Sequence, residues 1–167
     1  MAEVIHSFIA KSTTKKFIGI KYSDSDRDAK DTFGSKWEEW NKNGYFEEIK
    51  RENPQAEFDN STYACMKMTE HELEYWIGLI VPAQATVPHR YDCLDLPAGD
   101  FGTCWFYGSH EKADIYFEQD KCEKALIEAG MNISANSFFF EKYVPERFTK
   151  DENGNVVLDF CILTPMS

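Results

Sequence analysis

Phe138-Phe-Phe-Glu-Lys-Tyr-Val144 and Val156-Val-Leu-Asp-Phe-Cys-Ile-Leu163, separated by a segment containing Asp151-Glu-Asn-Gly-Asn155, decide how this chain folds. Both runs are rich in aromatic and β-branched residues, and the Asn-Gly segment is a turn signal, so the pair reads as two strands joined by a loop. Before it, residues 111–129 place Ile115, Cys122, Leu126 and Ala129 close to one helical face, with Gly130 as the stop. Before that helix, Tyr91 to Leu96 and Phe101 to Tyr107 are strand candidates separated by Pro97-Ala-Gly-Asp100. From Phe101 onward this part of the chain therefore reads strand, helix, strand, strand.

The same order precedes it. Lys15 to Tyr22 (KKFIGIKY) is strand-like, and Ser23-Asp-Ser-Asp26 supplies N-cap chemistry for a following helix. Phe33, Trp37 and Trp40 recur at helical spacing, which makes the two tryptophans core residues first and pocket residues second. The pattern breaks at Asn43-Gly44, and a second short helical piece runs to Asn53-Pro54. Tyr63 to Met68 and Leu73 to Val81 are strands, with Thr69 to Glu72 turning between them. Residues 82–90, with two prolines, read as the linker, and residues 1–14 as a polar lead-in. The predicted fold class is α+β: one domain over 1–167, built from pseudo-repeats at about 15–82 and 91–165. Each is a β-α-β-β module, giving two antiparallel sheets with helices on one face and a ligand cleft between the halves.

The formal net charge is −11, while 13 Phe, 8 Tyr and 4 Trp bring the aromatic share to 15%. So many rings exclude a disordered chain. So much negative charge disfavours nucleic acid and anionic membrane as partners. The five cysteines form no C-x-x-C pair, and neither they nor the four histidines show metal-ligand spacing. They read as packed thiols of a cytoplasmic protein, and no metal or cofactor is expected.

Glu141 stands out. Strand alternation puts Phe139, Glu141 and Tyr143 on one face, and a carboxylate among rings is costly to bury without compensation. One reading is a surface carboxylate, in water or paired with Arg147 or Lys142. The other is a negative charge at the base of an aromatic pocket, suited to a lipophilic cation or to general acid/base work.

Tyr75-Trp-Ile-Gly-Leu79, Leu96-Pro-Ala-Gly-Asp-Phe101, Cys104-Trp-Phe-Tyr-Gly108, Phe140-Glu-Lys-Tyr143 and Leu158-Asp-Phe-Cys-Ile162 carry a resemblance in their order and spacing. The chain resembles the GyrI-like small-molecule-binding domain, the effector-binding part of AraC-type and MerR-type multidrug regulators, in a stand-alone branch. The resemblance covers about residues 15–165. It implies a duplicated module whose cleft binds hydrophobic, often cationic aromatic compounds. The family's pocket glutamate maps onto Glu141 and its strand tyrosine onto Tyr143. Its Tyr-x-Ile-Gly aromatic maps onto Tyr75 or Trp76, alternation leaving open which one faces inward. Phe139, Trp105 and Tyr107 are further wall candidates. Binding is favoured; the alternatives are a hydrolase of cyclopropanoid, strained electrophilic genotoxins using Glu141 as its catalytic group, and a gyrase-interacting protein.

Overall fold

The computed structural model describes residues 2–116 and 118–166, with Met68 described by its backbone alone. In chain order the elements are β1 (Glu3–Ser12), β2 (Lys15–Tyr22), α1 (Gly34–Asn43), α2 (Tyr45–Arg51), β3 (Thr62–Met68), β4 (Leu73–Pro82), β5 (Asp92–Leu96), β6 (Gly99–Ser109), α3 (Gln119–Glu128), β7 (Phe138–Tyr143) and β8 (Asn155–Pro165). Short 3-10 turns occupy Asp24–Asp26 and Asp114–Tyr116. The class is α+β, and the strand pairings within each of two compact units are antiparallel. One unit comprises Thr14–Leu96, the other Met1–Thr13 with Pro97–Ser167.

In the first unit the strand order is β3-β4-β2-β5. Ile18 and Tyr22 of β2, Ala64 of β3, and Tyr75, Ile77, Leu79 and Val81 of β4 pack with Trp40, Phe46 and Ile49 of the helices. The break between α1 and α2 falls at Gly44, whose φ of +68° is the left-handed conformation that glycine adopts without strain. Trp40 is fully buried and its indole N–H donates to the Tyr22 hydroxyl at 2.9 Å. The Ser23–Asp26 signal produces only a 3-10 turn, in which Ser23 N–H donates to Asp26 Oδ2 at 2.9 Å. Residues 82–90, expected as a linker, connect β4 to β5 inside this unit. They are fastened by Asn53, whose side chain accepts from Thr86 N–H at 2.7 Å and donates to Thr86 O at 2.9 Å. Backbone turns from Ala85 N–H to Pro82 O and from Tyr91 N–H to Pro88 O bracket the segment.

In the second unit the order is β1-β6-β8-β7. β1 replaces the expected polar lead-in: it pairs with β6 from Glu3↔Tyr107 to Ser12↔Gly99 across one bulge. Its Ile5 and Phe8 remain 50% and 44% exposed, so it is held by its backbone ladder and lacks the buried face by which strands are read. α3 begins at Gln119, well after the expected start at 111. The intervening chain turns at Ala113, where φ is +59°, and Asp114 Oδ1 accepts from Ser109 N–H at 2.7 Å. Ile115 stays in phase with Cys122 and Leu126 across this interruption, which is why the periodicity reads as one helix. Phe117, inside the expected helix, lies outside the described residues.

Two glycines of β6 seat this layer. A Cβ at Gly102 would lie 2.9 Å from Leu126 side-chain carbons and 2.7 Å from Met131 Sδ; at Gly108 it would meet Ile115 at 2.7 Å. Bare backbone at these points brings α3 and the Asp114–Tyr116 turn down onto one face of the strand.

Candidate functional site

The face of β6 that carries Gly102 and Gly108 also carries Cys104, whose thiol lies 3.5 Å from Cys122 O on α3. Cys104 pairs with Phe160 on β8, and Phe160 pairs with Glu141 on β7. Glu141 therefore projects to the side covered by α3 and the turn before it, together with Phe139 and Tyr143. Phe139 packs against Phe160 with ring centroids 6.4 Å apart.

Glu141 is 5% exposed. Its Oε1 accepts a hydrogen bond from the Tyr143 hydroxyl at 3.0 Å. Among the described residues no cation pairs with it; Arg147, a partner considered on sequence grounds, is taken by Asp159. Burial pushes the Glu141 carboxyl up to about 7, and the Tyr143 hydrogen bond offsets part of that rise. Tyr116 lies beside this pair. Burial raises its phenol well above the ordinary value, the charge of Glu141 adds to that, and a hydrogen bond with Tyr143 works the other way. Tyr116 also bonds His110 Nδ1 at 2.7 Å. Phe148 closes the group edge-on, 4.9 Å from Tyr143 and 5.6 Å from His110 by ring centroids.

Trp105 and Tyr107 lie on the opposite face of β6. Trp105 pairs with Asp159, and Asp159 with Lys142, the residues adjacent in sequence to those on the Glu141 row. The Arg147 guanidinium stacks 4.5 Å from the Trp105 ring centroid and forks onto Asp159 at 2.8 and 2.6 Å. Tyr107 donates to Asp151 in the turn before β8. In the other unit, Tyr75 faces the helices: it stacks on Phe33 at 4.1 Å and accepts from the Trp37 indole at 2.9 Å. Trp76 points to the other side, edge-on to Phe17 at 6.2 Å.

The structure thus gathers Glu141, Tyr143 and Phe139, and adds Tyr116, His110 and Phe148, which the sequence reading did not select. Tyr116 sits out of phase with the Ile115 stripe, and its only sequence signal is its place just after the Asp114 turn. The arrangement offers a carboxyl titrating near neutrality, two phenols and flanking rings: a counter-charge for an aromatic cation, or a proton donor and acceptor in a water-poor setting.

No family model and no curated protein matches the chain. Solved structures share its fold. An integron cassette protein from the mobile metagenome of Vibrio cholerae aligns with a TM-score of 0.51 at 14% identity, covering 97% of both chains. A putative bacterial transcription regulation protein from Staphylococcus aureus MU50 aligns at 0.56 and 10% identity over 96% of this chain and 99% of that one. SAV2435 bound to tetraphenylphosphonium aligns at 0.62 and 14% identity over 95% and 93%. These likenesses show the fold of the chain.

Proposed function

We propose that this protein binds hydrophobic aromatic cations, with Glu141 as the counter-charge. The observation that carries the reading is a glutamate only 5% exposed, without a cationic partner among the described residues and set among Tyr143, Tyr116 and Phe148. Leaving a carboxylate so placed is costly, and a ligand that brings its own positive charge and apolar surface removes the cost. Tetraphenylphosphonium in a protein of the same fold supports this choice of ligand class. Access requires the covering rings to move aside, since Glu141 is sealed in the closed arrangement.

The test is titration with tetraphenylphosphonium, read by intrinsic tryptophan fluorescence and calorimetry. Micromolar binding is expected, with Glu141→Gln weakening it at least tenfold above pH 7. Protonation of Glu141 competes with the cation, so affinity falls as pH drops below about 7, by up to about tenfold per pH unit. Equal affinity of wild type and Glu141→Gln at pH 8 would reject Glu141 as the counter-charge.

A hydrolase of strained electrophiles is the second reading. It is favoured by one feature, the carboxyl poised near 7 with a phenol hydrogen-bonded to it, a combination suited to moving a proton at neutral pH. Product formation from a cyclopropanoid compound, lost in Glu141→Gln while binding persists, is its signature; stoichiometric capture without product excludes it.

A further inference from the structure

Between Glu146 and Asn155 the connection from β7 to β8 reads Glu-Arg-Phe-Thr-Lys-Asp-Glu-Asn-Gly-Asn, and Phe148 is its one large apolar side chain. The residues around it, Glu146, Thr149 and Lys150, are exposed, yet the Phe148 ring is half-buried. It stands edge-on to two other rings, Tyr143 at 4.9 Å and His110 at 5.6 Å between centroids. Tyr143 gives its hydroxyl to Glu141, and His110 Nδ1 lies 2.7 Å from the Tyr116 hydroxyl. Phe148 thus fills a slot with one aromatic wall on β7 and the other just after β6. The buried carboxyl lies one hydrogen bond beyond that slot, behind the Tyr143 hydroxyl.

The backbone that carries this ring is pinned on both sides. Before it, Arg147 is bonded to Asp159, and its carbonyl accepts from Val157 N–H at 3.0 Å. After it, Asp151 accepts from Asn153 N–H at 2.9 Å, from Asn155 N–H at 3.0 Å and from the Tyr107 hydroxyl. Phe148 N–H itself donates to Val144 O at 2.7 Å. None of these bonds involves the ring. It can therefore turn about its own side-chain torsions, toward the exposed residues beside it, while every pin stays in place. Two edge-on ring contacts and partial burial hold it inward, and the exposed Glu111–Lys150 ion pair adds a weak tie between its loop and the segment that carries His110.

We infer that Phe148 is a plug: its ring keeps the place between Tyr143 and His110 that an aromatic ring of the ligand takes, and it turns out into solvent as the ligand enters. An entering ring restores the two ring contacts that Phe148 gives up, so the exchange costs little. It also brings what Phe148 lacks, a positive charge beside Glu141. While the plug is closed the slot is filled, so the apparent affinity falls below the intrinsic one in proportion to the open fraction. The exchange rests on the cation-binding reading; the cover that the ring gives Glu141 does not.

The experiment compares wild type with Phe148→Ala at pH 8, by stopped-flow tryptophan fluorescence and calorimetry. Emptying the slot should speed tetraphenylphosphonium association and tighten its affinity, each by about tenfold, because no ring has to be displaced. A Phe148→Ala that binds more weakly than wild type makes the ring a wall of the site and overturns the plug, as does an unchanged affinity. Should Phe148→Ala fail to fold, trifluoromethyl-phenylalanine placed at position 148 keeps the ring and reports on it by fluorine NMR. With tetraphenylphosphonium bound, its resonance should gain a shift between light and heavy water, the mark of a ring that has moved into solvent; a resonance as shielded from water as in the free protein overturns the plug. Ligand-free protein separates the two readings. In Phe148→Ala water reaches Glu141, so the midpoint of its carboxyl, followed by infrared absorption and assigned by its loss in Glu141→Gln, should fall from about 7 by about one pH unit. An unmoved midpoint overturns the ring as the cover of Glu141. A lowered midpoint without tetraphenylphosphonium binding in either protein overturns the cation reading and the exchange that rests on it, while the cover stands. Binding by wild type that weakens in Phe148→Ala overturns the plug and leaves the cation reading in place.

Discussion

Among the described residues, two side-chain carboxylates are buried within the unit that contains β6, β7 and β8, and they are treated in opposite ways. Asp159 on β8 is 2% exposed and accepts two hydrogen bonds from the Arg147 guanidinium, which also sits over the Trp105 ring. Glu141 on the neighbouring strand is 5% exposed and receives one phenol. The pair Lys142↔Asp159 stands next to the pair Glu141↔Phe160, so one step along β7 turns from one face to the other. On one face charge is neutralised internally, and the result is a closed structural element. On the other, neutralisation is left to a proton or to something from outside. Burial alone therefore does not nominate a carboxylate as a candidate site; burial without a counter-ion among the described residues is what sets Glu141 apart.

Removing the guanidinium tests the Asp159 side. Arg147→Met strands a nearly inaccessible carboxylate and should cost about 4 kcal/mol, read as a lowered urea midpoint at pH 8. Adding Asp159→Leu should recover most of that loss, because a well-packed apolar pair replaces an ion pair at little cost. A small effect of the single change would mean that water reaches Asp159 and that the two carboxylates are not so different.

Only the Glu141 half of this contrast is legible in the sequence, and only along its own strand; Arg147, which the sequence offers as a partner for Glu141, belongs to Asp159. Alternation within Phe138–Tyr143 correctly grouped Phe139, Glu141 and Tyr143, because period two is a local property of an extended chain. It could not say which parity of β6 shares that face. That depends on the register Trp105↔Asp159↔Lys142, set by pairing between distant segments. Hence Trp105 and Tyr107 looked like neighbours of Glu141 and lie across the sheet from it. Gly44 and Asn153-Gly154 announced a helix break and a turn through backbone demands any reader can apply, and both positions have positive-φ glycines. β1 announced little, since Ile5 and Phe8 face solvent. The cover over Glu141 was invisible because Tyr116 reaches it through a turn at Ala113, a residue that carries no turn signal of its own.

Removing the charge tests the Glu141 side, and its sign is opposite to that for Asp159. The folded carboxyl titrates at about 7 and its ordinary value is 4.5. Below 4.5 both folded and unfolded chains hold the proton and Glu141 costs nothing. As pH rises toward 7 only the unfolded chain releases it, so folding loses stability, and above 7 the penalty is complete at about 3 kcal/mol. Glu141→Gln should therefore be more stable than wild type by roughly that amount at pH 8 and near parity at pH 4.5. Urea denaturation of both proteins at the two pH values checks this. A difference that does not change with pH would place the cost in packing and not in charge.

The smallest change sharpens the comparison most finely. Tyr143→Phe keeps the ring that meets Phe148 and deletes the one hydroxyl bonded to the carboxylate. A hydrogen bond to a charged group is worth about 2 kcal/mol and one between neutral groups about 1 kcal/mol. The variant should therefore lose about 2 kcal/mol at pH 8 and about half as much at pH 5, where Glu141 is protonated in the folded protein. Since the bond favours the ionised form, its loss should also raise the Glu141 midpoint further, by roughly one pH unit. The carboxyl absorption followed through a pH titration measures that directly. An unmoved midpoint would mean that the Tyr143 phenol does not favour the charged form. Glu141 would then lack even the single internal donor that now distinguishes it from a carboxylate with nothing at all.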